Sequence, residues 1–261
     1  MYKWNAEEYK DNSPNQKKWA LDLFSKAQLR GNESILDIGC GDGEITALIA
    51  GKANRGHVVG IDSSAEMIKL AQQRFPSKTH PNLSFILKDA RGIDFDCAFD
   101  LIFSNACLHW VTDHFPMLQK IRRSLKPSGG ILFQMGGKGN AEHIIEVIEL
   151  VIEQVEWSAF FNDFTFPYAF CSPDEYREWL TKLGFTAIRA ELVTKDMLHK
   201  NEDKLAAWIR TTWLPYTQRV PEALREDFIR QVVKSHMRKY PADKDGCIHL
   251  EMKRLEVQAE L

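Results

Sequence analysis

The first half of the chain alternates short apolar runs with amphipathic stretches, and this alternation constrains the fold more than any other feature of the sequence. Strand-like runs occur at 34–39, 57–62, 83–90, 99–106 and 130–135, and the stretches between them have apolar residues at helical spacing. In repeated strand–helix–strand units the crossover helix makes successive strands parallel, and the helices bury both faces of the sheet. We therefore predict an α/β protein with a doubly wound, mostly parallel sheet that binds ligands at the carboxyl ends of its strands.

The second half of the chain is less regular. Strand patterns near 185–193 and 248–259 bring the predicted sheet to seven strands, and helices are expected over about 141–155 and 203–237. Residues 157–170 read WSAFFNDFTFPYAF, of which half are aromatic, and polar residues and a proline interrupt them too often for one helix. We expect a small helical cap here, in which the aromatic side chains either line a pocket or pack as a core.

The chain is nearly neutral, with 34 lysines and arginines against 36 acidic residues. This balance gives no reason to expect a nucleic acid or a membrane as partner, so we expect a small-molecule substrate. No run approaches the length of a membrane span and no signal-peptide pattern is present, which favours a cytoplasmic protein. The five cysteines stand singly, so we expect reduced, buried thiols; neither they nor the group of Glu142, His143 and Glu146 predicts a metal site.

A glycine-rich turn, LDIGCGDG at 36–43, joins the first predicted strand to the first helix. Such a turn lets the backbone approach a ligand and points helix N–H groups at it. Gly43 comes one residue earlier than the third glycine of the G-x-G-x-x-G fingerprint of dinucleotide-binding proteins, and Glu44 follows it. Asp37 and Glu44 would repel a pyrophosphate, so the turn favours a ligand with an ammonium and a sulfonium.

Acidic residues also follow the next two predicted strands. Asp62 ends the second strand, 23 residues after Gly39, where a carboxylate can accept both hydroxyls of an unphosphorylated ribose. Asp89 follows the third strand and can accept a hydrogen bond from an exocyclic adenine amine. One such acid alone is more often a helix cap or a turn former, but spacing, order and residue type agree at five strand ends.

The ordered motifs LDIGCGDG, VVGIDSS, LKDA, FDLIFSNACLHW and LKPSGG resemble those of the class I S-adenosylmethionine-dependent methyltransferases. The resemblance implies a Rossmann-like fold, S-adenosylmethionine as cofactor and S-adenosylhomocysteine as product. In that family the glycine loop surrounds the methionine end of the cofactor, and the later acids hold its ribose and adenine. The cofactor-binding residues implied by position are Asp37, Gly39, Cys40, Gly41, Asp62, Ser63, Met67, Asp89, Ala90 and Asn105.

The same resemblance suggests how the chain is divided. The predicted parts are an N-terminal helical segment covering the active site (1–30), a cofactor-binding core (31–140), a helical and aromatic cap over the substrate site (141–170 and 200–245), and the remaining core helix and strands (171–199 and 246–261). We expect a monomer or a weak homodimer.

Two groups within the family look closest, the trans-aconitate methyltransferases and the juvenile hormone acid methyltransferases, and both esterify carboxylates. The first is suggested by FDLIFSNACLHW and AWIRTTWLPY, the second by CLHWVTD, EWSAFF and PYTQRVPEALREDF. The second resemblance implies that Gln16 and Trp110 lie in the acceptor site, with His109 as a rival catalytic base. The predicted substrate-binding residues are Trp4, Tyr9, Trp157, Phe161, Trp208, Thr212 and Tyr216.

The reaction expected from these residues is methyl transfer to a carboxylate of a small acid. Thr211 and Trp213 replace glycines of the aconitate pattern, so this chain offers fewer arginines for a tricarboxylate and more aromatic surface for an apolar acid. A carboxylate is ionised at neutral pH and needs no base, and Gln16 and Trp110 can orient it as neutral donors. The alternatives are methyl transfer to a hydroxyl or carbon, a nicotinamide-dependent oxidoreductase, and a protein that binds the cofactor without turnover.

Overall fold

The structure, a computed structural model, describes the backbone of residues 14–261 and the side chains of residues 17–186 and 189–261. The helices are α1 (Pro14–Phe24), α2 (Glu44–Lys52), α3 (Ala65–Arg74), α4 (His114–Ser124), α5 (Glu142–Ile152), α6 (Val155–Ser158), α7 (Pro173–Lys182), α8 (Glu202–Thr212), α9 (Leu214–Thr217) and α10 (Arg225–Lys239). The strands are β1 (Ser34–Ile38), β2 (His57–Asp62), β3 (Leu83–Leu87), β4 (Phe99–Asn105), β5 (Leu125–Gly136), β6 (Thr186–His199) and β7 (Ile248–Glu260).

Within these residues the strands form one seven-stranded sheet in the order β3-β2-β1-β4-β5-β7-β6. The strands β1 to β5 pair in parallel, whereas β7 runs antiparallel to β5. The predicted seven-stranded α/β sheet is confirmed, and it is a mixed sheet. Its strand order reverses between β1 and β4, which is where open α/β sheets bind their ligands.

The strand β5 begins earlier than the sequence predicts. We expected the LKPSGG run to end helix α4 and a strand to begin at Gly130, but β5 starts at Leu125 and includes this run. Ser128 has a φ of 63°, and the pairing with β4 changes register between Phe99 and Leu101. An irregularity of this kind lets proline and glycine lie inside a strand where regular pairing is interrupted.

The chain divides into two compact units. We call residues 14–138, 168–193 and 254–261 the sheet unit. Its apolar core consists of two buried clusters, with Leu36 of β1 in one and Ile35 in the other. Successive strand side chains point to opposite faces, so the two clusters belong to opposite faces of the sheet.

The second unit, which we call the helical unit, comprises residues 139–167 and 194–253 in the described chain. Its longest helix, α10, packs against α5 and α8. Trp157 and Phe161 are buried against Phe228 of α10, with ring centroids 5.2 and 5.7 Å away, and Phe164 lies 4.6 Å from Tyr216. Trp157, Phe161 and Phe164 therefore pack in a core, one of the two outcomes that the sequence left open, whereas Phe166 is exposed.

Two of the smaller expectations concern the cysteines and membrane spans. All five cysteines are free, and Cys40 and Cys171 are buried as predicted. The expectation of burial is wrong for Cys97, which is exposed in the turn before β4.

Across the part of the chain that the structure describes, no helix combines the length and apolar character needed to cross a membrane.

Two histidines are enclosed in the helical unit. His236 of α10 is 0% exposed and its ring lies 5.2 Å from that of Tyr240, while His199 lies 5.4 Å from the ring of Trp208. Burial lowers the pKa of each histidine to about 4. Positive charge on His236 further lowers the pKa of His199, and that on His143 lowers the pKa of His236. Both rings are therefore neutral at pH 7.

These lowered pKa values predict a loss of stability in mild acid. The unfolded chain takes up protons at these histidines near pH 6.5, whereas the folded chain resists until about pH 4, so the free energy of unfolding falls as the pH falls between those values. Each histidine contributes at most roughly 3 kcal/mol to this fall. We expect His236→Phe to flatten the pH dependence of the free energy of unfolding, measured by urea unfolding from about pH 4.5 to 7.5.

His57→Gln provides the control, because His57 is exposed on β2. It should leave the pH dependence as it is in the wild type. If His236→Phe has the wild-type slope too, the buried histidine does not determine acid stability.

Candidate active site

Two backbone hydrogen bonds fix the start of the glycine loop. The N–H groups of Gly39 and Cys40 both donate to the carbonyl oxygen of Ile61, at 2.8 and 3.0 Å. Gly39 has a φ of 78°, and a Cβ atom there would lie 2.3 Å from the Cβ of Cys107. Only glycine combines that backbone conformation with so close an approach. The loop therefore begins locked against the end of β2.

Asp62, at the end of β2, holds the next turn of the loop. Its Oδ2 accepts the N–H of Gly41 at 3.0 Å, and its Oδ1 accepts the N–H of Ser64 at 2.8 Å. Burial raises the pKa of Asp62, and these hydrogen bonds oppose the increase. Each carboxylate oxygen has a further lone pair, so Asp62 can also accept hydrogen bonds from the hydroxyls of a ligand.

Gly41 faces open space. Its φ is 53°, and among the described residues beyond its chain neighbours no heavy atom lies within 4 Å of the position that a Cβ atom would take. Gly39, two residues earlier, is in close contact with Cys107, so the two glycines have different roles. Gly39 lets the loop pack, and Gly41 leaves its outer surface clear for a ligand to approach the backbone.

Asp37 of β1 lies beneath the loop and is 2% exposed. Its Oδ2 accepts a hydrogen bond from the hydroxyl of Thr46 in α2 at 2.6 Å. Burial raises the pKa of Asp37 to about 7, and the negative charge of Asp62 contributes to the increase. A cation bound at the loop would favour the ionised form of Asp37.

Glu44, the acid that opens α2, is already paired. It forms an ion pair with Lys17 of α1, and its Oε2 lies 3.5 Å from a guanidinium nitrogen of Arg74. The hydrogen bond from Lys17 holds the pKa of Glu44 below its usual value. Glu44 therefore does not present an isolated negative charge to a ligand, as the sequence argument supposed. The sequence alone does not identify these two cations, because both are distant from Glu44 in the chain.

The predicted adenine-binding residues lie after β2 and β3. Met67 is buried in the first turn of α3, Ser63 is exposed just before it, and Ala90 is buried after β3. Asp89 accepts two hydrogen bonds from the guanidinium of Arg91, at 2.8 and 2.7 Å. An adenine amine at Asp89 would therefore share the carboxylate with Arg91 or displace its exposed side chain.

The end of β4 connects the loop to the next part of the site. Asn105 is the last residue of β4 and lies in register with Gln134 of β5. The hydroxyl of Ser104 donates to the carbonyl oxygen of Ile38 at 2.8 Å, which joins the ends of β4 and β1. Asn105 thus lies where the strand order reverses.

An aromatic wall follows β4, formed by His109, Trp110, Tyr168 and Phe170. The ring of Trp110 lies 4.7 Å from that of Tyr168, and the ring of His109 lies 5.8 Å from Tyr168 and 6.0 Å from Phe170. The N–H of Ala169 donates to the carbonyl oxygen of His109 at 2.9 Å, which fixes the two segments together. Tyr168 and Phe170 were not among the predicted site residues. In the sequence they continue the aromatic run that we assigned to the cap, and only a proline separates them from it.

His109 is held in its neutral form. The N–H of Gly136, the last residue of β5, lies 3.5 Å from His109 Nδ1, a weak hydrogen bond that places the ring proton on Nε2. Burial, together with the positive charge of Arg254, lowers the pKa of His109 well below its usual value. A histidine with so low a pKa is a weak base at pH 7. Arg254 was not predicted from the sequence, because no motif contains it.

The remaining substrate-binding predictions fall elsewhere in the chain. Trp4 and Tyr9 lie outside the described residues, and so does the side chain of Gln16 on α1. Within the helical unit, Trp208 is buried like the other predicted aromatic residues, and Thr212 is partly exposed at the end of α8. A substrate-binding role for these residues stays a prediction.

Comparisons with known proteins identify the class of enzyme. A family model described as a methyltransferase domain matches residues 35–129. The trans-aconitate 2-methyltransferase of Escherichia coli strain K12 is 26% identical over 262 residues, covering 99% of this chain and 98% of the relative. An uncharacterized methyltransferase, C70.08c of Schizosaccharomyces pombe, is 28% identical over 260 residues, covering 98% and 97%. The chain is an S-adenosylmethionine-dependent methyltransferase.

The likeness to solved structures agrees with this fold. The YcgJ protein of Bacillus subtilis superposes with a TM-score of 0.65 at 17% identity, covering 94% of this chain and 98% of that one. A putative methyltransferase of Bacillus halodurans gives a TM-score of 0.63, covering 92% and 97%. The predicted family, enzyme class and cofactor are confirmed, and the nicotinamide alternative is set aside. The open space at Gly41, whose N–H donates to the carboxylate of Asp62, is compatible with a cofactor that carries a cationic end and a ribose.

The open space at Gly41 predicts that a side chain there interferes with the methyltransferase's cofactor. Gly41→Ala should weaken S-adenosylmethionine binding by about tenfold or more, measured by calorimetry. Gly184→Ala is the matched control, because Gly184 has a φ of 78° and no atom within 4 Å of its Cβ position, at the end of α7. Each alanine in this backbone conformation should lower the free energy of unfolding by about 1–2 kcal/mol.

Only Gly41→Ala should lose cofactor affinity. Equal affinity in the two variants would show that the space over Gly41 is not where the cofactor binds.

Proposed function

We propose that this methyltransferase transfers the methyl group of S-adenosylmethionine to a carboxylate of a small acid, giving a methyl ester and S-adenosylhomocysteine. The observation that carries the proposal is the position of His109 after the end of β4, within the aromatic wall formed with Trp110, Tyr168 and Phe170, where burial lowers its pKa well below the usual value. A hydroxyl or carbon acceptor has to lose a proton, which calls for a base that works near neutral pH. A carboxylate is ionised above about pH 5 and needs no such base.

The relatives named trans-aconitate 2-methyltransferase support the proposal. They match along the whole chain, and their name describes an enzyme that acts on an acid. Identity of 26% supports the reaction type and leaves the identity of the acid open.

When bound, S-adenosylmethionine supplies a methyl group on a positively charged sulfur, which accepts the electron pair of the broken bond as the carboxylate oxygen bonds to the methyl carbon. The chain's own residues position the reactants. Asp37 and Asp62 favour the cationic end and the ribose of the cofactor, and Gly41 lets it reach the loop. The aromatic wall excludes water from the acceptor, and Trp110 orients the carboxylate with its indole N–H. Exclusion of water and alignment of the reacting atoms are enough to account for a large rate increase.

Methyl transfer to a hydroxyl is the second candidate, and one observation favours it. The pKa of Asp37 is about 7, the value that suits a general base at neutral pH. Its carboxylate is, however, enclosed beneath the loop and bonded to Thr46. That position suits interaction with the cofactor better than proton removal from an acceptor.

Methyl transfer to a carboxylate predicts that turnover changes little with pH. Turnover at saturating cofactor and acid should change by less than about threefold from pH 6 to 8.5, since no proton leaves the acceptor. It is measured as S-adenosylhomocysteine formation with a panel of carboxylic acids. His109→Gln keeps a neutral side chain of similar reach and should retain most of the activity. A steep rise with pH that disappears together with activity in His109→Gln would instead indicate a hydroxyl or carbon acceptor and histidine as its base.

The predicted carboxylate donors can be tested separately from the cofactor site. Trp110→Phe and Gln16→Ala should each lower kcat/KM for the acid by roughly 10- to 100-fold, the effect of losing one hydrogen bond to a charged group. Affinity for S-adenosylmethionine, measured by calorimetry, should stay within about twofold of the wild type. Loss of cofactor affinity with normal turnover at saturation would place these residues at the cofactor instead.

A further inference from the structure

Two helices of the helical unit, α5 and α10, lie side by side. The ammonium of Lys239, at the end of α10, forms an ion pair with Glu146 of α5, and the hydroxyl of Tyr240 donates to the same carboxylate at 2.9 Å. Earlier in α10, the side-chain amide of Gln231 donates to that of Gln154, just beyond the end of α5, at 3.2 Å. Later residues of one helix thus meet earlier residues of the other, so the two helices are antiparallel.

The outer sides of these helices carry stripes of opposite charge. In α5, Glu149 and Glu153 are exposed one turn apart, on the side away from the buried residues of the helix. In α10, Arg230, Lys234 and Arg238 are exposed at the same one-turn spacing, again away from the buried side. We call these the acidic stripe and the basic stripe. Among the residues that the structure describes, none of the five side chains forms an ion pair.

Each stripe by itself is unfavourable. Like charges one turn apart destabilise a helix, and the three cations of the basic stripe follow one another at that spacing. Opposite charges placed between them would remove the repulsion. The stripes therefore favour a partner whose charges alternate with their own.

Exposed apolar side chains lie beside the stripes. Leu150 of α5 is 54% exposed, and Val155, which begins α6, is 90% exposed. Leu150 is one turn from both Glu146 and Gln154, the two residues that contact α10, so it lies on the side of α5 that faces α10. A partner that covers this face would remove apolar surface from water as well as pair charges.

The contacts between α5 and α10 fix the levels of the two stripes along the helix axes. Counted from either contact in equal steps, Glu149 is level with residue 236 of α10, and Glu153 is level with residue 232. Glu149 is therefore level with the gap between the second and third cations of the basic stripe. Glu153 is level with the gap between the first and second. Acids and cations alternate in level along the face.

We propose that the face formed by α5 and α10 is an interface between two copies of this chain, related by a two-fold axis parallel to the helices. Such an axis lays α5 of each copy on α10 of the other and leaves every residue at its level. Glu149 of one copy then lies between Lys234 and Arg238 of the second copy. Glu153 lies between Arg230 and Lys234. The interface is symmetric, so each of these contacts forms twice.

The charges select this arrangement and this partner. A two-fold axis perpendicular to the helices would lay α5 on α5 and α10 on α10, which brings like charges together. A partner of one sign, such as an anionic membrane, would attract the basic stripe and repel the acidic stripe. A second copy carries both stripes and can pair with both. This association does not depend on which acceptor the enzyme methylates.

The size of the face predicts a weak dimer. The 15 residues of α10 span roughly 22 Å, and two packed helices are roughly 20 Å across, so each copy would bury roughly 400 Å². This is about half of what each partner buries in a stable complex. Exposed ion pairs add little free energy, and salt screens them. We therefore expect a dimer that forms at high protein concentration and dissociates in salt.

Sedimentation velocity of the full chain tests this expectation. In about 50 mM NaCl the wild type should dimerise with a dissociation constant of roughly 10–100 μM, which should rise about tenfold or more in about 500 mM NaCl. Arg230→Glu with Lys234→Glu, the basic-stripe variant, should stay monomeric up to about 300 μM, because its two stripes are then both acidic. Glu149→Lys with Glu153→Lys, the acidic-stripe variant, should do the same for the opposite reason.

Combining all four substitutions in one chain gives the sharpest test. The combined variant has the net charge of the wild type, and its reversed α5 again meets an oppositely charged α10. It should dimerise with a dissociation constant within about tenfold of the wild-type value. A general effect of net charge cannot produce this recovery, and neither can the perpendicular arrangement, in which like helices still meet.

Lys69→Glu with Lys78→Glu is the matched control. It changes the net charge as the basic-stripe variant does, at exposed positions of the sheet unit, and should dimerise like the wild type. Urea unfolding shows that each variant is folded. Should a charge-reversed variant fail to fold, Arg230→Gln with Lys234→Gln removes the two charges without reversing them and should raise the dissociation constant by about tenfold.

Every other result overturns the proposal. A wild type that stays monomeric at about 300 μM in low salt shows that copies do not associate; if it instead sediments with phosphatidylserine-containing vesicles, the basic stripe binds anionic lipid. A dimer that survives in both stripe variants, or in the glutamine variant at wild-type affinity, is formed by another surface. A folded combined variant that stays monomeric shows that the two stripes do not face each other.

Discussion

The carbonyl oxygen of Ile61 accepts hydrogen bonds from both Gly39 and Cys40, and the geometry of the glycine loop depends on this junction. It holds the end of β1 against the end of β2, so the loop leaves the sheet in one direction. Asp62 can then reach the N–H of Gly41, and Gly41 faces open space instead of the protein interior. A side chain at Gly39 would collide with Cys107 and separate the strands. One backbone acceptor thus positions the loop, an acid and the surface on which a ligand rests.

The sheet unit holds buried groups of both charges. Asp37 and Asp62 lie at the ends of β1 and β2, and burial raises the pKa of both, so a cation bound nearby would favour their ionised forms. Arg254 of β7 lies in register with Gly136, the last residue of β5. His109 is a neutral group, because burial and the positive charge of Arg254 lower its pKa well below the usual value. Under the proposed function, a sulfonium and a carboxylate would react here without a proton transfer.

The sequence could predict where the proposed cofactor-binding residues lie, because they follow strand ends in chain order and each motif is local; their binding roles stay predictions. The acceptor side was less predictable. Glu44 is paired with Lys17, which lies 27 residues earlier, and this pairing removed one of the charges on which the sequence argument relied. The aromatic run was divided, with Phe161 packed in the core of the helical unit and Tyr168 at the wall beside His109. Composition shows that aromatic side chains are present and gives no information about which residues they contact.

The sequence by itself determined the alternation of strands and helices, the glycine loop and the acids after β1, β2 and β3, because each depends on the spacing of residues close together in the chain. Only the tertiary structure decided where β7 pairs and that its antiparallel register places Arg254 opposite Gly136. It also decided that β5 takes in the LKPSGG run through a change of register against β4. Strand pairing between distant segments is set by the packing of whole sheet faces, and a one-residue slip would turn every side chain to the other face. No local pattern carries that information.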